Sequence, residues 1–493
     1  MSHTIVIFGA SGDLTSRKLI PALYQLERKG RLKKPCRIVG FSRTPMSDDD
    51  WRNKLLETTQ KFIGPGFDRS VWDGFAPMVH YFAGDIEKDG SLSELDAYLK
   101  SLEGETPSHR LYYLSTSPVF YATAVEKLGE AGMAGESQGS QQGSPAQGSR
   151  RVIIEKPFGT DLETAKELNR RVHQVFDERQ IFRIDHYLGK ETVNNILVLR
   201  FGNTMFEPVW NRNYIDNIQI TANEEVIVGH RAPFYEKAGI LRDMFQNHLL
   251  QLLTFATMEP PARFEADAVR DEKVKVLRAI RAMTPEEVSV NTLRGQYRSY
   301  RDEPGVDKSS RVATFAAVKL MIDNWRWKDV PIYLRSGKGM SCRTTQIVIH
   351  FRKPPHMMFQ GEQVRDIEAN RLLIQIQPAE GIQIHFQTKV PDTDMQMRQT
   401  EFNFNFRNSF DGELPEAYER LLLDAINGDA SLFARSDEVE AAWKIIDPIQ
   451  NTWDKKMATD PDFYEINDWG PTGSANWIRR FGHEWFDFCP VLH

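Results

Sequence analysis

Three short stretches of this chain gather side chains able to do chemistry together. Ile181-Phe-Arg-Ile-Asp185-His186-Tyr187-Leu-Gly-Lys190-Glu191 holds a carboxylate, an imidazole, a phenol and an ammonium within six positions. Leu241-Arg-Asp243-Met-Phe-Gln-Asn247-His248-Leu-Leu adds a second imidazole and a second acid. An imidazole held at one ring nitrogen by a carboxylate such as Asp185 keeps its other nitrogen as a base near neutral pH. On an α-helix Asp243 and Asn247 share a face, while His248 falls with Leu241, Phe245, Leu252 and Phe255. Periodicity alone therefore favours His248 as a core histidine, and only the supply of partners argues for a base. His186 and Lys190 share a face if a helix begins at about His186. A lysine in a first helical turn opposes the helix dipole, and a bound anion reverses that cost. The expectation is a phosphate site at His186, Tyr187 and Lys190; the alternative is a surface helix start with Lys190 paired to Glu191.

The third stretch, Gly9-Ala-Ser11-Gly12-Asp13-Leu14-Thr15, follows an apolar run and opens a helical pattern. Glycines there permit a tight turn and close approach of the backbone to a pyrophosphate. The GxxG spacing alone is moderately specific, and an ordinary strand–helix turn is the alternative. The second apolar run ends Gly40-Phe-Ser-Arg43-Thr44, with no acid before Asp48. A carboxylate in that place would favour NAD; Arg43, a permanently charged planar cation, suits the 2′-phosphate of NADP. Arg43 as a solvated surface residue is the competing view, and NAD remains as a weaker second coenzyme. Lys156, in Arg151-Val-Ile-Ile-Glu-Lys156-Pro157-Phe-Gly159, stands just past another apolar run, where doubly wound sheets bind ligands. Pro157 keeps Lys156 extended.

The elements that must position these groups change character along the chain. Thr4–Phe8, Arg37–Phe41, Leu111–Leu114 and Arg151–Ile154 are short and continuously apolar, as strands buried on both faces are. Helical patterns at Leu14–Lys29 and Asp161–Asp177 alternate with them, which predicts a doubly wound α/β domain. Met133–Ser149, almost all Gly, Ser, Gln and Ala, cannot bury a core and reads as a surface insertion. Beyond about residue 200, Asn217–Ile220, Gln346–Phe351, Leu372–Gln377, Gly381–Phe386 and Glu401–Phe406 alternate polar with apolar residues. Helices are expected at Ile240–Thr257, Arg311–Trp325 and Pro415–Asn427. The fold class is thus α/β plus α+β, the second part built on a large, mostly antiparallel sheet. Its helix-free face is a candidate oligomer surface.

The 493 residues comprise 41% hydrophobic and 26% charged side chains, the balance of a globular chain with more than one core. A net charge of -6 argues against broad nucleic-acid binding, which needs a basic surface. Cys36, Cys342 and Cys489 are too few and too scattered for a disulfide framework or a zinc site, so no metal is expected. No apolar run approaches the ~18 residues of a membrane span, and the first residues carry no signal-peptide pattern, which points to the cytoplasm.

Together these segments resemble the glucose-6-phosphate 1-dehydrogenase family. The resemblance rests on Gly9–Thr15, Glu155–Gly159, Arg183–Glu191, Arg242–Gln251, Arg270–Leu277, Thr314–Leu320 and Ala417–Asp429, in the family's order. It implies a Rossmann domain over 1–184 and a substrate and oligomerisation domain over 185–493, and a homodimer or tetramer. It implies oxidation of D-glucose 6-phosphate at C1 by NADP, with His248 as general base and Asp185 orienting it. Lys156, His186, Tyr187, Lys190, Glu224, Asp243, Lys338, Arg343 and Gln377 match substrate-binding positions. Gly9, Ser11, Gly12, Asp13, Leu14, Arg43, Asp85, Ile86, Tyr121 and Lys156 match coenzyme positions. Animal members carry a second, structural NADP on cationic side chains; the matching positions here are Thr344, Val348, Gln375 and His385, so one NADP per subunit is expected. Two other classes compete: an oxidoreductase resembling glucose–fructose oxidoreductase, which leaves the phosphate cluster unexplained, and a non-catalytic sensor, which has no need of Asp185 and His248.

Overall fold

The computed structural model describes residues 1–105, 107–136, 148–356, 358–359, 368–393, 395–410, 414–455 and 459–489. Residues 137–147, the bulk of the Met133–Ser149 insertion, lie outside them. The chain forms two compact units. The first is Met1–Lys190, Arg263–Arg270 and Pro415–Val439; the second is Glu191–Ala262, Asp271–Leu414 and Glu440–His493.

In the first unit, β1 (Ser2–Phe8), β2 (Cys36–Ser42), β3 (Val79–Ala83), β4 (Ser108–Leu114), β5 (Arg150–Ile154) and β6 (Ile181–Arg183) form one parallel sheet in the order β3-β2-β1-β4-β5-β6. The apolar runs read as buried strands are buried: Ile5 to Phe8 and Leu111 to Leu114 are at most 5% exposed. A reversal of strand order between β1 and β4 opens a crevice beyond their carboxyl ends. Helix Leu162–His173 begins at Asp161, whose carboxylate caps the backbone N–H of Thr164.

The division departs from a 184/185 boundary: the first break falls after Lys190, and Arg263–Arg270 and Pro415–Val439 belong to the first unit. Helix Ala417–Asn427 packs on helix Ile20–Arg28. The Arg151 guanidinium donates to the carbonyls of Ala425 and Ile426, at 3.0 and 2.8 Å, and Lys29 pairs with Glu419 at 2.5 Å. The amphipathic pattern at 417–427 predicts a helix but says nothing of which sheet it covers.

The second unit is a nine-stranded mixed sheet. Its strands are β7 (Ile215–Asn223), β8 (Thr292–Tyr297), β9 (Phe315–Met321), β10 (Pro331–Gly337), β11 (Thr344–Phe351), β12 (Arg371–Gln377), β13 (Gly381–Lys389), β14 (Met397–Asn405) and β15 (Asp462–Tyr464). They lie in the order β14-β13-β12-β11-β7-β10-β9-β8-β15, antiparallel except for β7–β10 and β8–β15. Helices Glu191–Phe201 and Leu241–Leu249 pack on it. At the outer strands Phe402 is 66% exposed and stacks on Phe386, the kind of apolar face an oligomer would use. Among the described residues no helix is long and apolar enough to cross a membrane.

One expectation is corrected here. The helix expected over Arg311–Trp325 is instead β9, pinned between β8 and β10. Phe315-Ala-Ala-Val-Lys-Leu-Met contains good helix formers, but with strands on both sides tertiary pairing overrides that preference. Three cysteines, too few and too scattered for a disulfide framework, still make one bridge: Cys342 and Cys489 form a disulfide across 147 positions, with Cα atoms 6.0 Å apart. Cys36 is free and buried.

Arg110 on β4 is the buried clamp of the first unit. It donates to Glu103 at 3.0 and 2.7 Å and to Asp96 at 2.5 Å, both on helix Ser91–Glu103. Arg110→Met should lower the stability read by urea unfolding by about 3–5 kcal/mol, because Glu103 is left buried and unpaired. An unfolding midpoint equal to wild type would show that Glu103 is not held this way.

Candidate active site

Every coenzyme-type residue that the fold gathers lies beyond the carboxyl end of a parallel strand. Gly9 follows β1 directly, and its N–H and that of Ala10 donate to the carbonyl of Phe41 in β2. The backbone at Gly9 has φ +81°, and a Cβ there would sit 2.3 Å from the Ser115 carbonyl oxygen, so only glycine fits. Ser11 is hydrogen-bonded to Ser42 at 2.8 Å. Gly9, Ser11, Gly12, Arg43, Asp85 and Ile86 line one cavity of about 280 Å³, joined by Ser42, Ser115, Thr116, Ser117 and Phe120. Arg43 is exposed, and among the described residues no carboxylate pairs with it. A concavity of glycine backbone, hydroxyls and one open guanidinium fits the phosphate-bearing part of NADP.

The remaining coenzyme-type residues are placed differently. Asp13 is exposed and pairs with Arg17 at 3.2 Å, and Leu14 opens the helical turn Thr15–Leu19. Tyr121 is buried, its hydroxyl pushed up by burial and by the nearby charge of Glu155. Glu155 follows β5, and burial raises its carboxyl although Tyr113 and Tyr418 donate to it at 2.5 and 3.1 Å. Lys156 comes next, beyond the end of the same strand.

The expected helix start at His186 is corrected: the helix begins at Glu191, and 186–190 is a series of turns. Asp185 builds those turns. Its carboxylate accepts the N–H of Tyr187 at 3.0 Å and its carbonyl accepts that of Leu188 at 3.0 Å. The Lys190 ammonium lies 5.6 Å from the Tyr187 ring centre, and the rings of Tyr187 and His186 are 5.0 Å apart. Asp185 and Tyr187 are buried while His186 and Lys190 are half-buried, so imidazole, phenol and ammonium stand together around one turn.

In the second unit the sheet does the gathering. β7 and β10 are parallel with Asn223 opposite Gly337, so Glu224 and Lys338 leave the sheet side by side. β11 starts against the same edge, with Thr344 opposite Asn223, and β12 ends there, with Gln377 opposite Thr345. Arg343 donates to Gln377 at 3.2 Å. Lys338 is buried and pairs with Glu224 and, at 2.7 Å, with Asp243. Burial disfavours its charge, yet Asp243 and Glu224 outweigh burial and the ammonium is raised from its ordinary 10.5. That contribution is complete below the ordinary lysine value and is lost only as pH climbs through the higher folded value.

Asp243 and His248 lie on a wide-turn π-helix, Leu241–Leu249, that continues as α-helix Leu250–Thr257. Rings closing at i+5 bring residues five apart toward one face, so His248 stands with Asp243 rather than with the leucines alone. His248 is 1% exposed, and its backbone N–H donates to the side-chain Oδ1 of Asn247 at 2.6 Å. Sequence reading missed Tyr235, buried with its ring centre 5.7 Å from the Lys338 ammonium. Burial first, and then Asp243, pushes its hydroxyl well up. No local pattern in Phe234-Tyr-Glu-Lys marks it.

Residues 6–195 match the profile of the glucose-6-phosphate dehydrogenase NAD binding domain, and residues 197–486 match that of the C-terminal domain of the same enzymes. The chain belongs to the glucose-6-phosphate dehydrogenase family. Among relatives, the glucose-6-phosphate 1-dehydrogenase of Aggregatibacter actinomycetemcomitans is 43% identical, covering 98% of this chain and 96% of its own. That of Chlamydia pneumoniae is 41% identical over 98% and 95%. A solved glucose-6-phosphate dehydrogenase in complex with its substrate glucose 6-phosphate superposes with a TM-score of 0.90 at 36% identity, covering 98% of both chains. The glucose-6-phosphate 1-dehydrogenase of Mycobacterium avium gives 0.84 at 34%, over 99% of this chain and 100% of that one.

Of the positions expected to match a second NADP site, Thr344, Val348 and Gln375 are buried in β11 and β12, and burial followed by Arg371 lowers His385. The nearby cations are engaged. Arg335 pairs with Asp487 at 2.8 Å beneath the Trp485 ring, Arg343 holds Gln377, and Lys389 donates to Val390 and Thr393 carbonyls at 3.1 and 2.5 Å.

Lys338→Met should leave Asp243 buried without its counter-charge. The cost should be about 3 kcal/mol or more at pH 8 and clearly smaller at pH 5, where the abandoned carboxylate takes up a proton. Thermal melts of the variant and wild type at both pH values measure it; equal losses at the two pH values would contradict the ion-pair role.

Proposed function

We propose that the chain oxidises D-glucose 6-phosphate at C1 to 6-phospho-D-glucono-1,5-lactone, the entry to the pentose phosphate pathway, with NADP as coenzyme. The observation that carries this reading is membership of the family along the whole chain with Asp185–Lys190 and Asp243–His248 intact. When bound, NADP supplies the acceptor for the hydride from C1. The protein's part is to hold the sugar and move one proton. His248 takes the C1 hydroxyl proton as general base, and Asp185 fixes the imidazole's orientation and steadies its positive charge. His186, Tyr187 and Lys190 hold the 6-phosphate. Glu224, Asp243, Lys338, Arg343, Gln377 and Lys156 bind the sugar, the last beside the nicotinamide. Gly9, Ser11, Gly12, Asp13, Leu14, Asp85, Ile86 and Tyr121 seat the coenzyme, and Arg43 reads its 2′-phosphate. The division is 1–184 for coenzyme and 185–493 for substrate and association. The enzyme is cytoplasmic and works as a homodimer or tetramer.

Nicotinamide absorbance with NADP and glucose 6-phosphate tests the reading directly. His248→Asn should lower kcat by at least ~10² with KM little changed, and Asp185→Asn should lower it less. Lys190→Ala should instead raise KM for glucose 6-phosphate and leave that for glucose unaltered. Near-normal kcat in His248→Asn, or equal losses on both sugars in Lys190→Ala, would refute these roles.

One NADP binds per subunit, at the glycine loop. Calorimetric titration should give a single site, and NADP stabilisation should largely vanish in an Arg43→Ala, Gly12→Asp double variant. Two NADP per subunit, or strong stabilisation surviving in that variant, would overturn this.

A further inference from the structure

The wide-turn helix bearing Asp243 and His248 has a second neighbourhood, on which neither residue draws. The chain breaks at Gly239, with φ +62° and ψ 177°, and the helix restarts with the N–H of Ile240 bonded to the Ala313 carbonyl. Its first turn lines a cavity of about 320 Å³ in the second unit, together with Lys237, Arg242, Arg294 and Arg311. The carboxylates around it are spoken for: Glu236 accepts from Tyr300 and Ser310 at 2.7 and 2.8 Å, Asp454 accepts from Gln450 at 2.8 Å, and Asp460 pairs with Arg311 at 2.9 Å.

Arg294 is the telling member. It is only 8% exposed, yet its hydrogen bonds go to the carbonyls of Trp453, at 2.9 Å, and Thr459, and its guanidinium lies over the Trp453 ring. Among the described residues no carboxylate hydrogen-bonds it, although the charges of Asp454 and Asp460 act on it from nearby and partly offset burial and the like charge of Arg311. A buried guanidinium whose hydrogen bonds all go to neutral acceptors, and whose charge burial and Arg311 still disfavour, gains from an anion at contact distance. The exposed ammonium of Lys237 stands on the same wall, and a helix start adds its own preference for negative charge. We propose that this cavity binds a compact polyanion bearing phosphate or carboxylate groups, at a site separate from those for coenzyme and sugar. It lies behind the helix, one residue from Asp243, so an occupant there is placed to act as an effector.

The test is calorimetric titration of the full chain preloaded with glucose 6-phosphate and NADPH, a pair that cannot react and that occupies the other anion sites. Pyrophosphate and citrate, titrated separately, distinguish a phosphate from a carboxylate ligand. At least one should bind saturably at one site per chain, and Arg294→Met should weaken it at least about tenfold. Lys237→Glu, at an exposed position that should leave folding intact, should weaken it severalfold. Absence of saturable binding by both probes, or affinity unchanged in both variants, would overturn the proposal.

Discussion

A buried ammonium dictates much of the second unit. Removing the Lys338 charge from water costs several kcal/mol unless carboxylates meet it at close range. Glu224 and Asp243 do so from a strand end and a helix 19 positions apart in sequence. Meeting both fixes the register of β7 against β10 and the placement of the helix on the sheet. Tyr464 in β15 closes the arrangement by donating to the Lys338 carbonyl at 2.7 Å. Polar groups tied to one another in this way are held in place in the folded chain without help from a ligand.

Both units apply one rule to different chemistry. Parallel neighbours send their carboxyl ends the same way, so residues distant in sequence emerge together. In the first unit this makes an open cavity rich in backbone N–H groups and hydroxyls, suited to phosphate. In the second, the parallel pair β7–β10 within a mostly antiparallel sheet sets a carboxylate and an ammonium next to each other.

Much of this was legible in the sequence. Continuous apolar runs announced the buried parallel strands, and alternation announced β11 to β14. Residues at strand ends, such as Gly9, Arg43 and Lys156, could be placed because strand-end position needs only local pattern. Where reading went astray, non-local packing decided. β9 looked helical because its composition is, and its neighbours in the sheet are far away in the chain. His248 is as buried as its period suggested, but the helix that carries it is wider than the α-helix that period assumes. Tyr235 and the Cys342–Cys489 bridge left no local trace, being defined only by what they meet in space.

The first unit is discontinuous, and the direction of protein synthesis gives that fact a consequence. When Lys190 leaves the ribosome all six strands of the first sheet exist, but helix Ala417–Asn427, with its partners for Arg151, Lys29 and Glu155, does not. At roughly 5–20 residues per second, those partners follow tens of seconds later or nearly so. Through that interval the nascent sheet carries an uncovered apolar flank and an unanswered Arg151 guanidinium. Residues 415–439 are thus needed to finish what residues 1–190 begin, and a chain cut short before residue 417 would carry a first unit with one side left open.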